Sequence, residues 1–341
     1  MLLSVRNALL RRTAALASAT RTRAAAPPPL TRHFTTTRPA STAKTPPAAA
    51  PAAQSSSPPA PRGVALALAA QTDARIAPRA RLRDEFTLAG RVALVSGANR
   101  GLGLEMALAL AEAGARAVYC VDLPASPGAE WEAVAEYVKR MGAGEGKGEG
   151  TRMEYVCADV TDQARMWAVG RAIGEREGRM DVCVAAAGIL REHTDCLEYP
   201  AEQFRKVFDV NANGVLFTAQ AAGREMVRFG NAGSIILIAS MSGSITNKDH
   251  AWVSYNSSKS AVLQMGRSMA CELGAKGIRV NTLSPGHIYT SMTAAYLDKQ
   301  PELFEKWSRS NPLGRLGRPD ELRGVVAWLA SDASTFCTGS E

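Results

Sequence analysis

The N-terminal arm of this 341-residue chain contains no acidic side chain: the first is Asp73, after nine Lys or Arg residues. From Asp73 onward, 31 basic and 32 acidic side chains almost balance. The formal net charge of +8 therefore belongs to the arm and not to the body. Because nucleic-acid binding requires a basic face, this balance predicts a body without a nucleic-acid partner.

Cysteine and histidine are too scattered along the sequence to predict a metal centre. The six Cys form no CxxC pair, and the four His are not at ligand spacing. These absences exclude a zinc-ribbon site and argue against a disulfide framework, so we expect reduced thiols and no metal. No run of about 20 apolar residues follows the arm, which predicts that no segment spans a membrane.

Residues 1–38 have the composition of a mitochondrial transit peptide, rich in Arg, Ser, Thr and Ala. Arg32-His33-Phe34 resembles the Arg-x-Phe processing site of such peptides, which predicts cleavage close to Phe34 or Thr35. We therefore expect a mitochondrial (matrix) location. The alternative is a basic extension that carries no targeting signal, in which case we expect a cytoplasmic protein.

Residues 39–82 are rich in Pro, Ala and Ser and bury too little apolar surface to order themselves, which predicts a disordered linker. A short apolar stretch near its end, "GVALALAAQ", fits either a frayed helix or a docking strand. The folded body is expected over residues 83–341, a length sufficient for one α/β core.

Short runs rich in Val, Ile and Ala alternate with longer segments of helical period along the body. The runs show no polar alternation, so strands buried on both faces are expected, in a parallel sheet. Right-handed crossovers then predict a single doubly wound (Rossmann) α/β sheet with helices on both faces. The predicted strands are "RVALVSG", "AVYCVD", "MEYVCAD", "MDVCVAAAG", "SIILIAS" and "IRVNTLSPG".

A glycine-rich stretch, "SGANRGLG", follows the first predicted strand and opens the first long helix. Gly97, Gly101 and Gly103 would allow a tight turn, close approach of backbone N–H groups to a pyrophosphate, and packing of helix on strand. A glycine triplet alone is a weak signal, but this strand–turn–helix context is the one that indicates dinucleotide binding.

Two side chains pull the cofactor preference in opposite directions. Asp122 ends the second strand, where a carboxylate accepts hydrogen bonds from ribose hydroxyls and repels a 2′-phosphate. Arg100, beside the glycine loop, can pair with that phosphate. Because an acid close to a phosphate is costly whereas an idle Arg is not, we expect NAD, with NADP as the alternative. Asp122 also fits a role as a turn residue.

Four residues carry the expected chemistry. Tyr255 and Lys259 lie four positions apart in a predicted helix, after Ser240 at the end of the fifth strand, and Asn211 precedes them all. With the glycine loop and "VNTLSPG", this order and spacing resembles the classical short-chain dehydrogenase/reductase family, over about residues 88–340. "SMSGSITN" and "YNSSK" resemble its fungal branch of sorbose-, xylulose- and mannitol-type polyol reductases.

The resemblance implies hydride transfer between NAD(P)(H) and a small secondary alcohol or ketone and, within that branch, a polyol and ketose. Tyr255 would be the general acid or base, with Lys259 lowering its pKa from about 10. Ser240 would stabilise charge on the substrate oxygen, a role for which Ser242 is the nearby competitor. Asn211 would hold a water that connects Lys259 to solvent.

The family pattern also implies cofactor contacts beyond the catalytic residues. One motif departs from it: Ala185–Gly188 reads Ala-Ala-Ala-Gly where the family has Asn-Asn-Ala-Gly, so the Asn that ties neighbouring strands is missing. The implied cofactor-binding residues are Gly97, Asn99, Arg100, Gly101, Leu102, Gly103, Asp122, Asp159, Val160, Gly188, Tyr255, Lys259, Pro285, Gly286, Ile288 and Thr290.

The chain ends at Glu341, before the Val-Asp-Gly-Gly-like strand that closes the family's sheet, so the last edge strand is expected to be missing and its neighbour exposed. A homo-oligomer, dimer or tetramer, is expected through helices near 205–229 and 255–273. Two other functions stay open: reduction of a 3-oxoacyl thioester, and a non-catalytic or inactive protein that binds a dinucleotide or a partner.

Overall fold

One parallel sheet forms the centre of the chain, seen in a computed structural model that describes residues 61–143, 150–191, 193–298 and 300–341. The described residues contain six strands in the order β3-β2-β1-β4-β5-β6, and every neighbouring pair is parallel. This is the predicted doubly wound sheet. The strands are β1 Val92–Ser96, β2 Ala117–Asp122, β3 Arg152–Cys157, β4 Val182–Ala185, β5 Gly233–Ile238 and β6 Ile278–Leu283.

Helices cover both faces of the sheet. The helices are α1 Gly63–Thr72, α2 Leu82–Glu85, α3 Gly101–Glu112, α4 Ala129–Ala143, α5 Gln163–Glu177, α6 Ala201–Phe208, α7 Gly214–Phe229, α8 Val253–Leu273, α9 Ser291–Leu297, α10 Pro301–Ser310 and α11 Arg323–Ala330. No helix among the described residues is both long and apolar enough to cross a membrane.

Alternation along the buried strands divides the core into two layers. Val92 and Leu94 of β1 pack with α5, α7 and α8, whereas Ala93 and Val95 pack with α3, α4 and α11. Successive side chains of a strand point to opposite faces, so a strand covered on both sides must be apolar throughout. β1, β4 and β5 are buried along their whole lengths, which explains why their sequences lack polar alternation.

The strand order brings the predicted site residues to one edge. The chain reverses its winding direction between β1 and β4, and the loops after both strands leave from their carboxyl ends. In open α/β sheets, ligands bind in the crevice at this switch point. The loops after β1, β4, β5 and β6 carry the glycine loop, Gly188, Ser240 and Pro285.

The segment before the sheet differs from its prediction. A helix, α1, lies within residues 39–82, so the predicted disordered linker is wrong for Gly63–Thr72, where the helix is the one of the two alternatives for this stretch that the structure shows. Ala and Leu favour helix, which accounts for it, although none of its residues is buried. The transit peptide at 1–38 and the linker up to residue 60 lie outside the described residues and stay predictions.

One edge strand of the sheet is β6. Its backbone was expected to be exposed, but the last residues of the chain cover part of it. The Gly339 N–H donates to the Val280 carbonyl at 2.7 Å, and the Thr282 N–H donates to the Ser340 carbonyl at 2.9 Å. The Thr338 hydroxyl also accepts from the Val280 N–H at 3.0 Å. Thr338–Ser340 therefore satisfy part of the edge that a missing strand would leave open.

Candidate active site

The glycine loop after β1 is packed so closely that two of its positions admit no side chain. Gly97 has φ +67°, and a Cβ there would lie 2.7 Å from the Ala187 Cα. A Cβ on Gly103 would overlap the Gly97 carbonyl. Gly101 also has a positive φ, +60°, but has open space around it. The loop thus closes tightly on β1 and on the chain after β4 and leaves room above the start of α3.

The start of α3 fits the phosphates of a dinucleotide. Arg100 is the N-cap residue and makes no side-chain cap, so no capping side chain satisfies the first N–H groups of this 12-residue helix. Leu102 packs into the core beneath it. Unsatisfied N–H groups and the positive end of the helix dipole attract a pyrophosphate. Gly97–Gly103 would hold that part of a bound NAD(P).

Asp122 is held rigidly against the glycine loop. One carboxylate oxygen accepts from the Asn99 N–H at 2.9 Å and the other from the Leu123 N–H at 2.8 Å. The Asn99 side chain in turn accepts from the Gly128 N–H at 2.8 Å. Asp122 is therefore a turn residue, and its carboxylate is also fixed where β2 ends. The sequence does not reveal Gly128 as part of this arrangement.

Asp159 and Val160 follow β3, the outermost strand on that side. The Asp159 carboxylate accepts from the N–H and the hydroxyl of Thr161 at 2.9 and 2.8 Å. Burial raises the pKa of Asp159, but these hydrogen bonds and the charge of Lys206 together outweigh burial and leave the pKa below its usual value. Val160 is buried against Gly214, where a Cβ would lie 2.7 Å from the Val160 Cγ2. The adenine end of a dinucleotide would meet this surface.

Tyr255 and Lys259 occupy the first turns of α8 and lie on one face. The Lys259 Nζ is 5.7 Å from the centroid of the Tyr255 ring. Lys259 is 4% exposed, and its ammonium donates to the Ile238 carbonyl at 2.8 Å. That carbonyl ends β5, so the charge ties α8 to the carboxyl edge of the sheet. The structure brings the predicted pair together at the expected place.

Asn211 and Gly188 complete the surroundings of Lys259. A Cβ on Gly188 would lie 3.5 Å from the Asn211 Oδ1 and 3.6 Å from the Lys259 Nζ. Asn211 lies in a π-helical turn, Asp209–Asn213, of the kind that often marks a functional site. Its amide bonds the Ile189 N–H at 2.8 Å and carbonyl at 2.9 Å, so this side chain clamps the chain after β4.

Ser240 stands two residues beyond β5, within hydrogen-bonding reach of Tyr255. It is 8% exposed, and its hydroxyl also accepts from the Ser242 N–H at 3.2 Å. The competing hydroxyl of Ser242 donates to the Asn247 side chain at 2.8 Å. The geometry therefore favours Ser240 over Ser242 as the group that meets a substrate oxygen.

Comparison with known proteins agrees with this geometry. A family model described as enoyl-(acyl carrier protein) reductase matches residues 97–341. Galactitol 2-dehydrogenase (L-tagatose-forming) from Cereibacter sphaeroides is 38% identical over 258 residues, 76% of this chain and 94% of that protein. Sorbose reductase from Schizosaccharomyces pombe is 37% identical over 258 residues, 75% and 94% of the two chains.

A solved short-chain type dehydrogenase/reductase from Mycobacterium marinum superposes with a TM-score of 0.66 at 36% identity, covering 76% of this chain and 95% of that one. This chain belongs to the short-chain dehydrogenase/reductase family. It is therefore an oxidoreductase that acts on CH–OH groups with NAD(P).

The departure from the family pattern at Ala185–Gly188 has a partial substitute. The Ser96 hydroxyl, at the end of β1, accepts from the Ala187 N–H at 3.4 Å. The Ala187–Gly188 backbone meets Gly97 on one side and Lys259 on the other. Without the family's Asn, close packing and this long hydrogen bond together connect the glycine loop with the catalytic residues.

The segment from Pro285 to Thr290 is fixed at both ends. The Pro285 carbonyl accepts from the Met241 N–H at 3.1 Å, beside Ser240, and Gly286 lies near the Met241 sulfur. Ile288 pairs with Gly317 in an isolated parallel bridge. Thr290 caps α9 through a reciprocal bond with Thr293. The segment that is expected to bind the nicotinamide and pyrophosphate is thus attached to the turn that carries Ser240.

The two ends of the predicted cofactor site are far apart. Asp122 is the last residue of β2, three strand positions from β5 and Ser240, which is about 14 Å at the usual strand spacing. The acid and the catalytic residues therefore make no direct contact but lie along one crevice, as an extended dinucleotide requires. Among the described residues, no group of three His, Cys, Asp or Glu could hold a metal ion.

Burial governs the protonation of Tyr255 and Lys259, the predicted catalytic pair, in the cofactor-free protein. Burial raises the pKa of Tyr255, and the Ser240 hydrogen bond lowers it by less. Burial lowers the pKa of Lys259 to about 8. The net pKa shift of Tyr255 in the cofactor-free protein is therefore upward, contrary to the expected lowering, because burial of the phenol dominates. At neutral pH Tyr255 is a phenol, which can donate its proton to a carbonyl oxygen.

A cluster of aromatic rings lies next to Tyr255, and its members come from separate segments of the chain. Trp252 and Trp307 are nearly buried and belong to an apolar cluster against which Tyr255 packs. Histidine rings stack on both indoles. We call this set the ring cluster: His193, His250, Trp252, His287 and Trp307.

The lowered pKa of Lys259 predicts the pH dependence of ketone reduction. In the expected mechanism a cationic Lys259 stabilises the tyrosinate that forms as Tyr255 gives up its proton, and the charge of Lys259 is lost as pH rises through about 8. We expect kcat/KM for reduction to be flat at neutral pH and to fall above about pH 8. Lys259→Arg, whose guanidinium stays charged, should remove this break from its residual activity. A wild-type profile without a break near pH 8 would contradict the assignment.

Proposed function

We propose that the enzyme interconverts a small polyol and the corresponding ketose. The observation that carries the proposal is the placement of Ser240, Tyr255 and the buried Lys259 around one point at the carboxyl edge of β5. Relatives in which the same body is more than a third identical include a galactitol dehydrogenase and a sorbose reductase. Oxidation of the secondary carbinol of such substrates removes one proton from its oxygen, and reduction of the ketone returns one.

Each residue has a separate part in the proposed reaction. Ser240 donates to the substrate oxygen and orients it towards Tyr255. In reduction, the Tyr255 hydroxyl gives its proton to that oxygen, and the ammonium of Lys259 stabilises the phenolate that remains. A bound nicotinamide supplies or accepts the hydride. In oxidation the proton returns from the carbinol oxygen to Tyr255.

Reduction of a 3-oxoacyl thioester is the second candidate. The matching family model carries an acyl-carrier-protein description, and the same three residues can protonate a 3-oxo group. The two substrates differ in what surrounds the carbonyl: hydroxyl groups in a ketose, and an apolar chain with a thioester in the other. The ring cluster combines apolar faces with polar ring nitrogens, which suits the hydroxylated substrate better.

Activity on a substrate panel, measured for wild type and Tyr255→Phe, tests the proposal. Wild type should reduce ketoses and oxidise polyols, whereas the variant should lose about 10²–10⁴-fold in kcat, because it has no proton to transfer. The variant should keep its melting temperature and its affinity for NADH. Activity confined to acyl-pantetheine substrates would select the second candidate, and full activity of the variant would remove Tyr255 from the acid–base role.

We propose NAD as the preferred cofactor, with NADP as the alternative. The support is the fixed Asp122 carboxylate, which cannot turn away from a 2′-phosphate without breaking its bonds to the Asn99 and Leu123 N–H groups. Asp122→Asn should raise NADP use relative to NAD by roughly tenfold, about 1.4 kcal/mol. Arg100 is exposed at the loop, so Arg100→Ala should lower NADP use selectively. Equal changes with both cofactors would refute these assignments.

Two properties outside the active site are also proposals. We propose import into mitochondria, supported by the composition of residues 1–38. A reporter fused to those residues should localise to mitochondria, and a diffuse reporter would refute import.

We propose a homo-oligomer formed through α7 and α8, for which light scattering should give a dimer or tetramer and not a monomer.

A further inference from the structure

His250 is held in a defined orientation within the ring cluster. Its ring stacks on Trp252, with centroids 4.3 Å apart and planes within 7°. Trp307 of α10 meets the same ring edge-on, at 5.6 Å. Because Trp252 and Trp307 belong to the cluster against which Tyr255 packs, His250 lies at the border of the catalytic site.

The loop that carries His250 is fixed by two contacts, one on each side of His250. The Asp249 carboxylate bonds the Lys306 ammonium of α10 at 2.9 Å, and the Ala251 N–H donates to the His193 ring at 2.7 Å. Asp249 has φ +68°, the one positive value for a non-glycine residue in the described part of the chain. A backbone held in this sparsely populated region is a feature of ligand-binding and catalytic loops.

The tautomer of His250 follows from its neighbour. The Trp307 indole N–H donates to the His250 Nε2 at 3.2 Å. An indole nitrogen can only donate, so Nε2 must be the unprotonated nitrogen of the ring. The proton of the neutral imidazole then resides on Nδ1. Burial, followed by the charges of His193 and Lys306, lowers the pKa of His250, which keeps the ring neutral at physiological pH.

The Nδ1–H group is left without a partner. Among the described residues, the His250 Nδ1 is a buried side-chain nitrogen with no hydrogen-bond acceptor. A buried donor that is unsatisfied destabilises the folded protein, so such a group in an active site indicates an acceptor supplied by a ligand. A neutral N–H between two indoles suits a hydroxyl oxygen, with the apolar ring faces against the C–H groups of the same molecule.

We propose that His250 is a substrate-binding residue whose Nδ1–H donates to a hydroxyl oxygen of a polyhydroxylated substrate, other than the oxygen that exchanges its proton with Tyr255. The proposal rests on the polyol–ketose function above and makes it specific. In this proposal His250 confers selectivity for substrates that carry a hydroxyl group on a carbon next to the reacting one. Trp252 and Trp307 orient the His250 ring.

A matched pair of variants separates the effect of the N–H donor from the effect of the aromatic ring. His250→Phe keeps a flat ring that can stack on Trp252 but has no N–H, whereas His250→Asn lacks the ring and keeps an N–H at the δ position. Both are compared with wild type on L-sorbose and on 2-hexanone, an unsubstituted ketone of equal length. Melting temperature and NADH affinity of each variant report its folding.

The ratio of kcat/KM values for the two ketones is the decisive quantity. His250→Phe should lower this ratio about tenfold, because the hydrogen bond to the substrate hydroxyl is lost, and His250→Asn should restore most of it. Equal losses on both ketones, or equal ratios for the two variants, would show that His250 acts through packing alone and would overturn the proposal.

Side-chain ¹⁵N NMR of the wild-type enzyme tests the same proposal if a variant does not fold. Nδ1 of His250 should carry the proton, and its signal should shift when sorbitol saturates the complex with oxidised cofactor. A protonated Nε2, or a signal unchanged at saturation, would overturn the proposal. Failure of the proposed function looks different: wild type itself would use neither ketoses nor polyols, and the substrate class assigned to His250 would fall with it.

Discussion

The buried ammonium of Lys259 is the constraint around which the active site is organised. A charge only 4% exposed must be compensated, and here the Ile238 carbonyl at the end of β5 accepts one of its three N–H donors. The bond fixes α8 to the strand that leads into Ser240. Because Tyr255 lies one turn before Lys259 on α8, the bond also fixes the position of Tyr255. Because burial brings the Lys259 pKa down to about 8, the same packing makes the charge sensitive to pH near neutrality.

Close packing connects Lys259 with the glycine loop at the other end of the crevice. A side chain on Gly188 would come within contact distance of Asn211 and Lys259, and one on Gly97 would strike the Ala187 backbone. The chain after β4 is therefore held between the glycine loop and the catalytic charge. The Asn211 clamp on Ile189 holds its far end. The site is rigid without the strand-tying Asn of the family pattern.

Much of this arrangement can be predicted from the sequence, because it depends on local rules. Apolar runs without alternation predict strands covered on both sides, and a glycine loop between strand and helix predicts the phosphate end. Fixed spacing places Tyr255 and Lys259 one helical turn apart. The sequence leaves α1 open between helix and strand, and it does not predict the bonds of Thr338–Ser340 to β6, because a short tail carries no periodic signal.

The remaining features depend on contacts between distant segments, which no local pattern reports. The direction of the Tyr255 pKa shift is one: an adjacent Lys predicts a lower pKa, whereas the surroundings that bury the ring raise it. The anchoring of Asp122 by Asn99 is another.

The ring cluster shows the same dependence most clearly. Trp307 lies 52 residues beyond Tyr255, yet it sets the tautomer of His250 and packs in the cluster that meets the Tyr255 ring. Because Trp307 belongs to α10, and Lys306 of the same helix holds Asp249, this helix positions both the apolar surface beside Tyr255 and the unpaired donor of His250. A displacement of α10 would therefore alter the hydrogen bonding of the substrate and the surroundings of the proton donor together, which couples substrate selection to the geometry of the chemical step.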